Sequence, residues 1–261
     1  MGRATTIDPR AVVHPEARIG DGVMIGPYCV IGAGVGIGDG CRLDAHVVVE
    51  GPTELGPDNH VSAMASIGGP PQDLKYTGSP TRLIVGARNR IREYVTLNRG
   101  TEGGGGVTRI GDDNLFMAYC HVGHDCQVGS RIVFANAATL AGHVEVGDEA
   151  TIGAFSGVHQ SCRVARFAFI GGYSVITQDA LPWVTTVGNR ARSYGLNLVG
   201  LKRRGYRAET VRALKRCYAV LFRSGLLLEQ ALDQVQSELG QVPEVRYFVE
   251  FVRASQRGVI R

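Results

Sequence analysis

Residues 18–51 read RIGDGVMIGPYCVIGAGVGIGDGCRLDAHVVVEG, and within them Ile19, Ile25, Ile31, Ile37, Leu43 and Val49 stand six apart. The series extends back to Val13 and Ile7 and forward to Leu55, Val61 and Ile67 without a miss. It breaks over 68–83, returns at Val85, Ile91 and Leu97, breaks again over 98–109, and runs from Ile110 to Ile176. Small or β-branched residues sit four places after many of these positions, as at Ala17, Val23, Val35, Ala138 and Ala150. A helix repeats every 3.6 residues and a single strand every two, whereas a strict period of six belongs to a parallel β-helix in which three hexapeptides make one triangular coil. Each aliphatic residue then points inward and stacks on the residues 18 before and 18 after it, with coils ~4.8 Å apart.

The rest of the composition agrees with a solenoid. The chain has 261 residues, 44% of them hydrophobic, enough for a full core, and 36 glycines against 10 prolines and one tryptophan, which fits many regular tight turns rather than collagen or disorder. No apolar run approaches the ~20 residues needed to cross a bilayer, and the amino-terminal stretch lacks the basic and apolar segments of a signal peptide, so a cytoplasmic location is expected. The cysteines are expected to be reduced, and none forms a C-x-x-C pair. Cys29, Cys41, Cys120, Cys126 and Cys162 each fall four places after an aliphatic position, which makes them inward core filler and argues against covalent catalysis by Cys126.

After Pro182 the spacing becomes helical in Val211, Leu214, Tyr218, Leu221 and Phe222, in Leu228, Leu232, Val235 and Leu239, and in Val245, Phe248, Val249 and Val252. Pro243 fits a helix start, and Gly225 and Gly240 fit helix ends. The expected organisation is a β-helix over 1–186, with loops thrown out at 68–82 and 98–109, followed by a basic α-helical domain over 187–261. Charge divides the same way: 187–261 carries 14 Lys/Arg against 6 Asp/Glu, and 1–186 carries 14 against 18. The basic bias suits a phosphate group or an acidic protein partner, and nucleic acid is not an expected partner.

Repeat phase also says which histidines can gather. Positions 142 and 160 lie one and two coils beyond His124, so His124, His143 and the pair His159 and Gln160 share one outer edge, with His121 and Asp125 beside the first. An imidazole titrates near neutral pH, which suits a general base drawing a proton from a hydroxyl or amine. Asp125 could fix its tautomer, and the backbone N–H of Gly142, with no side chain in the way, could steady a tetrahedral oxyanion. The same imidazoles could instead hold a catalytic zinc, as in hexapeptide-repeat carbonic anhydrases, or stand on a purely structural scaffold.

The chain resembles the acyl carrier protein-dependent UDP-N-acetylglucosamine O-acyltransferases that begin lipid A synthesis. The likeness rests on IGPYCVIG at 25–32, QDLKYTGSPT at 72–81, RNRIRE at 88–93, RGT at 99–101, HVGHDCQVG at 121–129, ATLAGHVEV at 138–146, VHQ at 158–160 and GLKRRGY at 200–206. It implies a mainly β fold built on a left-handed parallel β-helix, a homotrimer with active sites between neighbouring subunits, and no cofactor or metal, the acyl group arriving on the phosphopantetheine of an acidic acyl carrier protein. By motif, His124 is then the base assisted by Asp125, and Gly142 and His143 lie where the family stabilises the oxyanion. Asp73, Lys75, His121, His159, Gln160, Asn197, Arg203 and Arg204 would bind UDP-N-acetylglucosamine, and Gly172 would bear on acyl length. Lys202, Arg212, Lys215 and Arg216 are candidates for the carrier-protein contact. Asn98, Val199, Arg190 and Phe169 depart from the family's usual residues, Val199 bearing on nucleotide hydrogen bonding and Arg190 and Phe169 on acyl length. A sister N-acyltransferase family shares the β-helix but usually carries an extra amino-terminal domain, and repeats here start at Ile7.

Overall fold

The structure is a computed structural model that describes residues 4–261. Two-residue strands follow one another around three faces, and each pairs in parallel with the strand one coil before it and one coil after. Val122 thus lies between Leu97 and Leu140, and Leu140 between Val122 and Val158. The first face starts at Thr6–Ile7 and grows to 11 strands, the second starts at Val12–Val13 and has nine, and the third starts at Arg18–Ile19 and has eight. The coil winds left-handed, against the strong right-handed preference of parallel crossovers.

A residue in the left-handed backbone region turns most corners, and few of these are glycine: Tyr28, His46, Asp125, His143, Phe155 and Tyr173 all have φ between 55° and 60°. Such a conformation costs a non-glycine residue about 1 kcal/mol. The coil-to-coil ladder offsets that cost, as where the His143 N–H donates to the His124 carbonyl at 2.9 Å. Inward side chains fill the prism from Val23 to Ile176, and Phe116 stacks on Phe134 with ring centroids 4.7 Å apart. Cys29, Cys41, Cys120, Cys126 and Cys162 are all fully buried in this core. Among the described residues no earlier coil covers Ile7, which stays 43% exposed although it keeps the inward phase.

The loops are shorter than the aliphatic pattern suggests. Strands Ser66–Gly69 and Arg82–Val85 reduce the first to 70–81, and strands Thr96–Asn98 and Val107–Ile110 reduce the second to 99–106. Gly68, Gly69, Arg82, Val107 and Thr108 interrupt the sixfold aliphatic pattern yet extend these strands, because backbone pairing with the neighbouring coil does not require an aliphatic side chain. Register survives both loops: Leu55 pairs with Val85, and Val85 with Ile110.

Residues beyond 186 do not begin with a helix. Val184–Val187 and Arg192–Leu196 form an antiparallel pair that closes the end of the first face beside Phe169–Ile170. An open strand edge there would expose unpaired N–H and C=O groups, and the hairpin satisfies them. Four helices follow: α1 (Leu198–Arg203), α2 (Ala208–Arg223), α3 (Leu228–Leu239) and α4 (Pro243–Arg253). Their apolar faces make a second core with Trp183, in which Leu214, Leu232 and Phe248 are fully buried. The tail then returns to the prism: the Asp179 N–H donates to the Gly258 carbonyl and the Ile260 N–H to the Asp179 carbonyl, both at 2.9 Å.

Candidate active site

The corner joining the second face to the third carries the histidines. His124 and Asp125 turn it between strands His121–Val122 and Gln127–Val128, and Gly142 and His143 turn it one coil later. The Asp125 side chain has no solvent exposure, that of His124 has 13% and that of His143 has 32%. A carboxylate can only accept, so the 2.8 Å contact between His124 Nδ1 and Asp125 Oδ2 places the ring proton on Nδ1 and leaves Nε2 free as an acceptor. Gly142 lies directly beneath the ring: a Cβ there would overlap the His124 imidazole, so this position must be glycine for the ring to lie as it does. The His143 ring stands edge-on to His124 with centroids 5.0 Å apart, its Nε2 3.7 Å from Asp125 Oδ2. His121, on the strand leading into the corner, bonds the Thr96 hydroxyl at 2.7 Å, and burial pushes its pKa down, with the charge of His124 adding to the effect.

Loop 70–81 approaches the same corner. Together with loop 99–106 it forms a cleft of about 380 Å³, lined by Asp73, Lys75, Thr101, Glu102, His143 and Gln160. Asp73 itself accepts from the Lys75 backbone N–H at 2.9 Å, which folds the loop tip locally. His159 is on the adjacent coil but does not join the imidazole pair; it is exposed, with Nδ1 3.4 Å from the Arg257 guanidinium.

Other predicted residues lie elsewhere on the same prism. Gly172 is at the corner between the first and second faces. Arg204 is at the corner between the third and first, where its guanidinium bonds the Glu149 carboxylate and carbonyl, each at 2.8 Å, and lies over Phe167. Arg203 is exposed beside it. Asn197 caps α1, its side-chain oxygen accepting from the Gly200 N–H at 2.9 Å. Within one chain, therefore, His124, Gly172 and the two arginines occupy three different corners.

The folding of the sequence also supplies residues that the motif reading missed. Thr101, in loop 99–106, donates to Asp125 from its backbone N–H at 2.8 Å and from its hydroxyl at 2.6 Å, and the Thr108 hydroxyl accepts from the Asp125 N–H at 2.8 Å. Both loop termini lie outside the sixfold phase, so the repeat could not assign them a corner.

Comparison with known proteins adds the family. Residues 179–260 match the family model described as "Udp N-acetylglucosamine O-acyltransferase; Domain 2", and residues 1–33 match the bacterial transferase hexapeptide repeat. The chain is 51% identical over 257 residues to the acyl-[acyl-carrier-protein]–UDP-N-acetylglucosamine O-acyltransferase of Alkalilimnicola ehrlichii, covering 98% of this chain and 100% of that protein. A similar relative from Burkholderia orbicola is 50% identical over 262 residues, again covering 98% and 100%. Among solved structures, the UDP-N-acetylglucosamine O-acyltransferase of Moraxella catarrhalis superposes with a TM-score of 0.96 at 42% identity, over 98% of this chain and 99% of that one. The chain belongs to the UDP-N-acetylglucosamine O-acyltransferase family. It is an acyltransferase, and the zinc hydratase and bare-scaffold readings lose their ground.

The chemistry of the corner fits that family. His124, Asp125 and His143 offer three ligand atoms within 4.8 Å of one another. Yet both Asp125 oxygens already accept from Thr101 and Oδ2 also from His124, so a cation there would have to displace charge-assisted hydrogen bonds. Cys126 offers no nucleophile, since burial pushes its thiol up to about 12. No helix among the described residues is long and apolar enough to cross a membrane.

Proposed function

We propose that the protein transfers a 3-hydroxyacyl chain from acyl carrier protein to the 3-hydroxyl of UDP-N-acetylglucosamine, the opening step of lipid A biosynthesis in the cytoplasm, with His124 as general base. The observation that carries this reading is the hydrogen bond from His124 Nδ1 to a fully buried carboxylate beside a cleft, which leaves Nε2 as the acceptor. Nε2 takes the hydroxyl proton as the sugar oxygen attacks the thioester carbonyl. The resulting oxyanion is held by the Gly142 N–H, which has no backbone acceptor among the described residues. Collapse breaks the carbon–sulfur bond, and the imidazolium returns its proton to the departing phosphopantetheine thiolate, so no cofactor and no covalent enzyme intermediate is needed.

Asp73, Lys75, His121, His143 and Gln160 would contact the sugar nucleotide at this corner, with His159 at its edge. Arg203 and Arg204 would meet the pyrophosphate, and Asn197 the nucleoside. Gly172 would bound the acyl chain. No single prism can present its three corners to one substrate, which supports a homotrimer with the substrate held in the clefts between copies. A ladder of exposed rings supports it too: Tyr28 stacks with His46, Tyr94 with Tyr119 and Phe155 with Tyr173 along the corner between the first and second faces. Tyr28, Tyr94, Tyr119, Phe155 and Tyr173 are each about half exposed or more, an apolar strip that a neighbouring copy would cover. Lys202, Arg212 and Lys215 on α1 and α2 are exposed and suit an acidic carrier protein, whereas Arg216 is partly engaged by Glu238 at 3.3 Å.

The test is turnover of purified His124→Ala with UDP-N-acetylglucosamine and 3-hydroxyacyl carrier protein, products read by mass. A loss of at least ~10²-fold is expected, with a thermal melt close to that of the parent, because the ring contributes little to the prism core. Retention of more than about a tenth of the activity would remove His124 from the role.

A further inference from the structure

The run RGTEGGGGV at 99–107 interrupts the coil, and its Thr101, Glu102 and Gly103 line the cleft beside His143. Its folded form converges on one carboxylate. The Thr101 N–H donates to Asp125 Oδ1 at 2.8 Å, and the Thr101 hydroxyl donates at 2.6 Å to Oδ2, the oxygen that also accepts from His124 Nδ1 at 2.8 Å. Gly104 covers the same group so closely that a Cβ on it would overlap the Asp125 carboxyl carbon and both oxygens, and a Cβ on Gly100 would crowd Oδ1. The turn is closed on itself, the Gly104 and Gly106 N–H groups donating to the Thr101 carbonyl at 3.1 and 2.8 Å. Loop 70–81 is tied to it by the Ser79 hydroxyl, which donates to Glu102 at 2.9 Å.

We propose that Thr101 is a positioning residue for the acyl transfer: its hydroxyl and N–H fix the rotamer of Asp125, and through Asp125 the plane in which His124 presents Nε2. The inference rests on the reading of His124 as base. A carboxylate that accepts from His124 alone is free to turn about its Cβ–Cγ bond, and the imidazole turns with it. Two further donors, the Thr101 N–H on Oδ1 and its hydroxyl on Oδ2, remove that freedom. The group is fully buried, so water does not replace a lost donor. Thr101 lines the cleft beside His143, but its N–H and its hydroxyl proton are both given to Asp125, so it acts on orientation.

The test compares Thr101→Val, Thr101→Ala and Thr101→Ser with the parent enzyme and with His124→Ala, in full-length protein, using UDP-N-acetylglucosamine and 3-hydroxyacyl carrier protein. Loss of one charge-assisted hydrogen bond on the dyad is expected to lower kcat about 10- to 100-fold in the valine and alanine variants, with both KM values within about twofold. Thr101→Ser, which keeps the hydroxyl, should return kcat to within about threefold of the parent. Alanine adds no bulk, so it reads the loss of the hydroxyl even if valine disturbs the loop. Parent-like kcat in the alanine variant, a serine variant as slow as alanine, or a rise in acceptor KM at constant kcat would each overturn the positioning role. If those results come with an inactive His124→Ala, only the role of Thr101 falls; if His124→Ala itself turns over, the base reading falls first and takes this one with it.

Discussion

The two loops that break the repeat meet the same corner of the prism and are held there in opposite ways. Loop 99–106 presses its backbone against Asp125, with Thr101 buried and Gly104 in contact with the carboxylate. Loop 70–81 keeps its tip in solvent, with Leu74 fully exposed and Asp73 bonded only within the loop. On the proposed reading of His124 as base, the difference separates two tasks on one scaffold. A loop that orients a catalytic group must be anchored by backbone donors and close packing, whereas a loop that receives a substrate keeps polar side chains free to bind it.

The largest effect that would sharpen this contrast is expected at Gly104. Gly104→Val places a branched side chain where the Asp125 carboxylate lies, and kcat should fall by at least ~10²-fold, the low end of what a general base contributes. Steady-state kinetics alongside a melting curve would check it; near-parent kcat would mean that the anchored loop does not govern the dyad. A smaller effect is expected from Lys75→Ala on the solvent-held loop. Its acceptor KM should rise about tenfold with kcat nearly unchanged, the split expected when binding is lost equally from ground and transition states. If kcat fell and KM did not, the loops would not divide the work in this way. The smallest is a difference in hydrogen exchange without any mutation. The Thr101 amide, bonded to a buried carboxylate, should exchange at least about tenfold more slowly than the Leu74 amide at a solvent-exposed tip. Equal rates would erase the contrast.

The legibility of the molecule follows the repeat. Wherever the sixfold phase runs, a residue's number gives its face and its neighbours, which is why the buried cysteines and the approach of His143 to His124 could be read from spacing. His159 falls one place before the His124 column, whereas His143 falls one place after it, and His159 turns towards Arg257 of the returning tail, a contact between residues far apart in sequence. Off the repeat, numbers lose this meaning. Thr101 stands in a quoted family motif but no spacing connected it with Asp125, and the Arg192–Leu196 strand was hidden inside a segment whose composition reads as helical.

The sequence by itself determined the three-sided coil, the inward and outward alternation around it, and the gathering of imidazoles on one edge, because a strict period converts position along the chain into position in space. Only the tertiary structure decided that the Asp125 carboxylate is dry and doubly held by Thr101, that Arg204 is bound to Glu149, and that the candidate substrate residues lie on three separate corners. Those facts depend on where loops and the tail fold back, and such contacts are set by packing between distant segments, for which no local pattern exists.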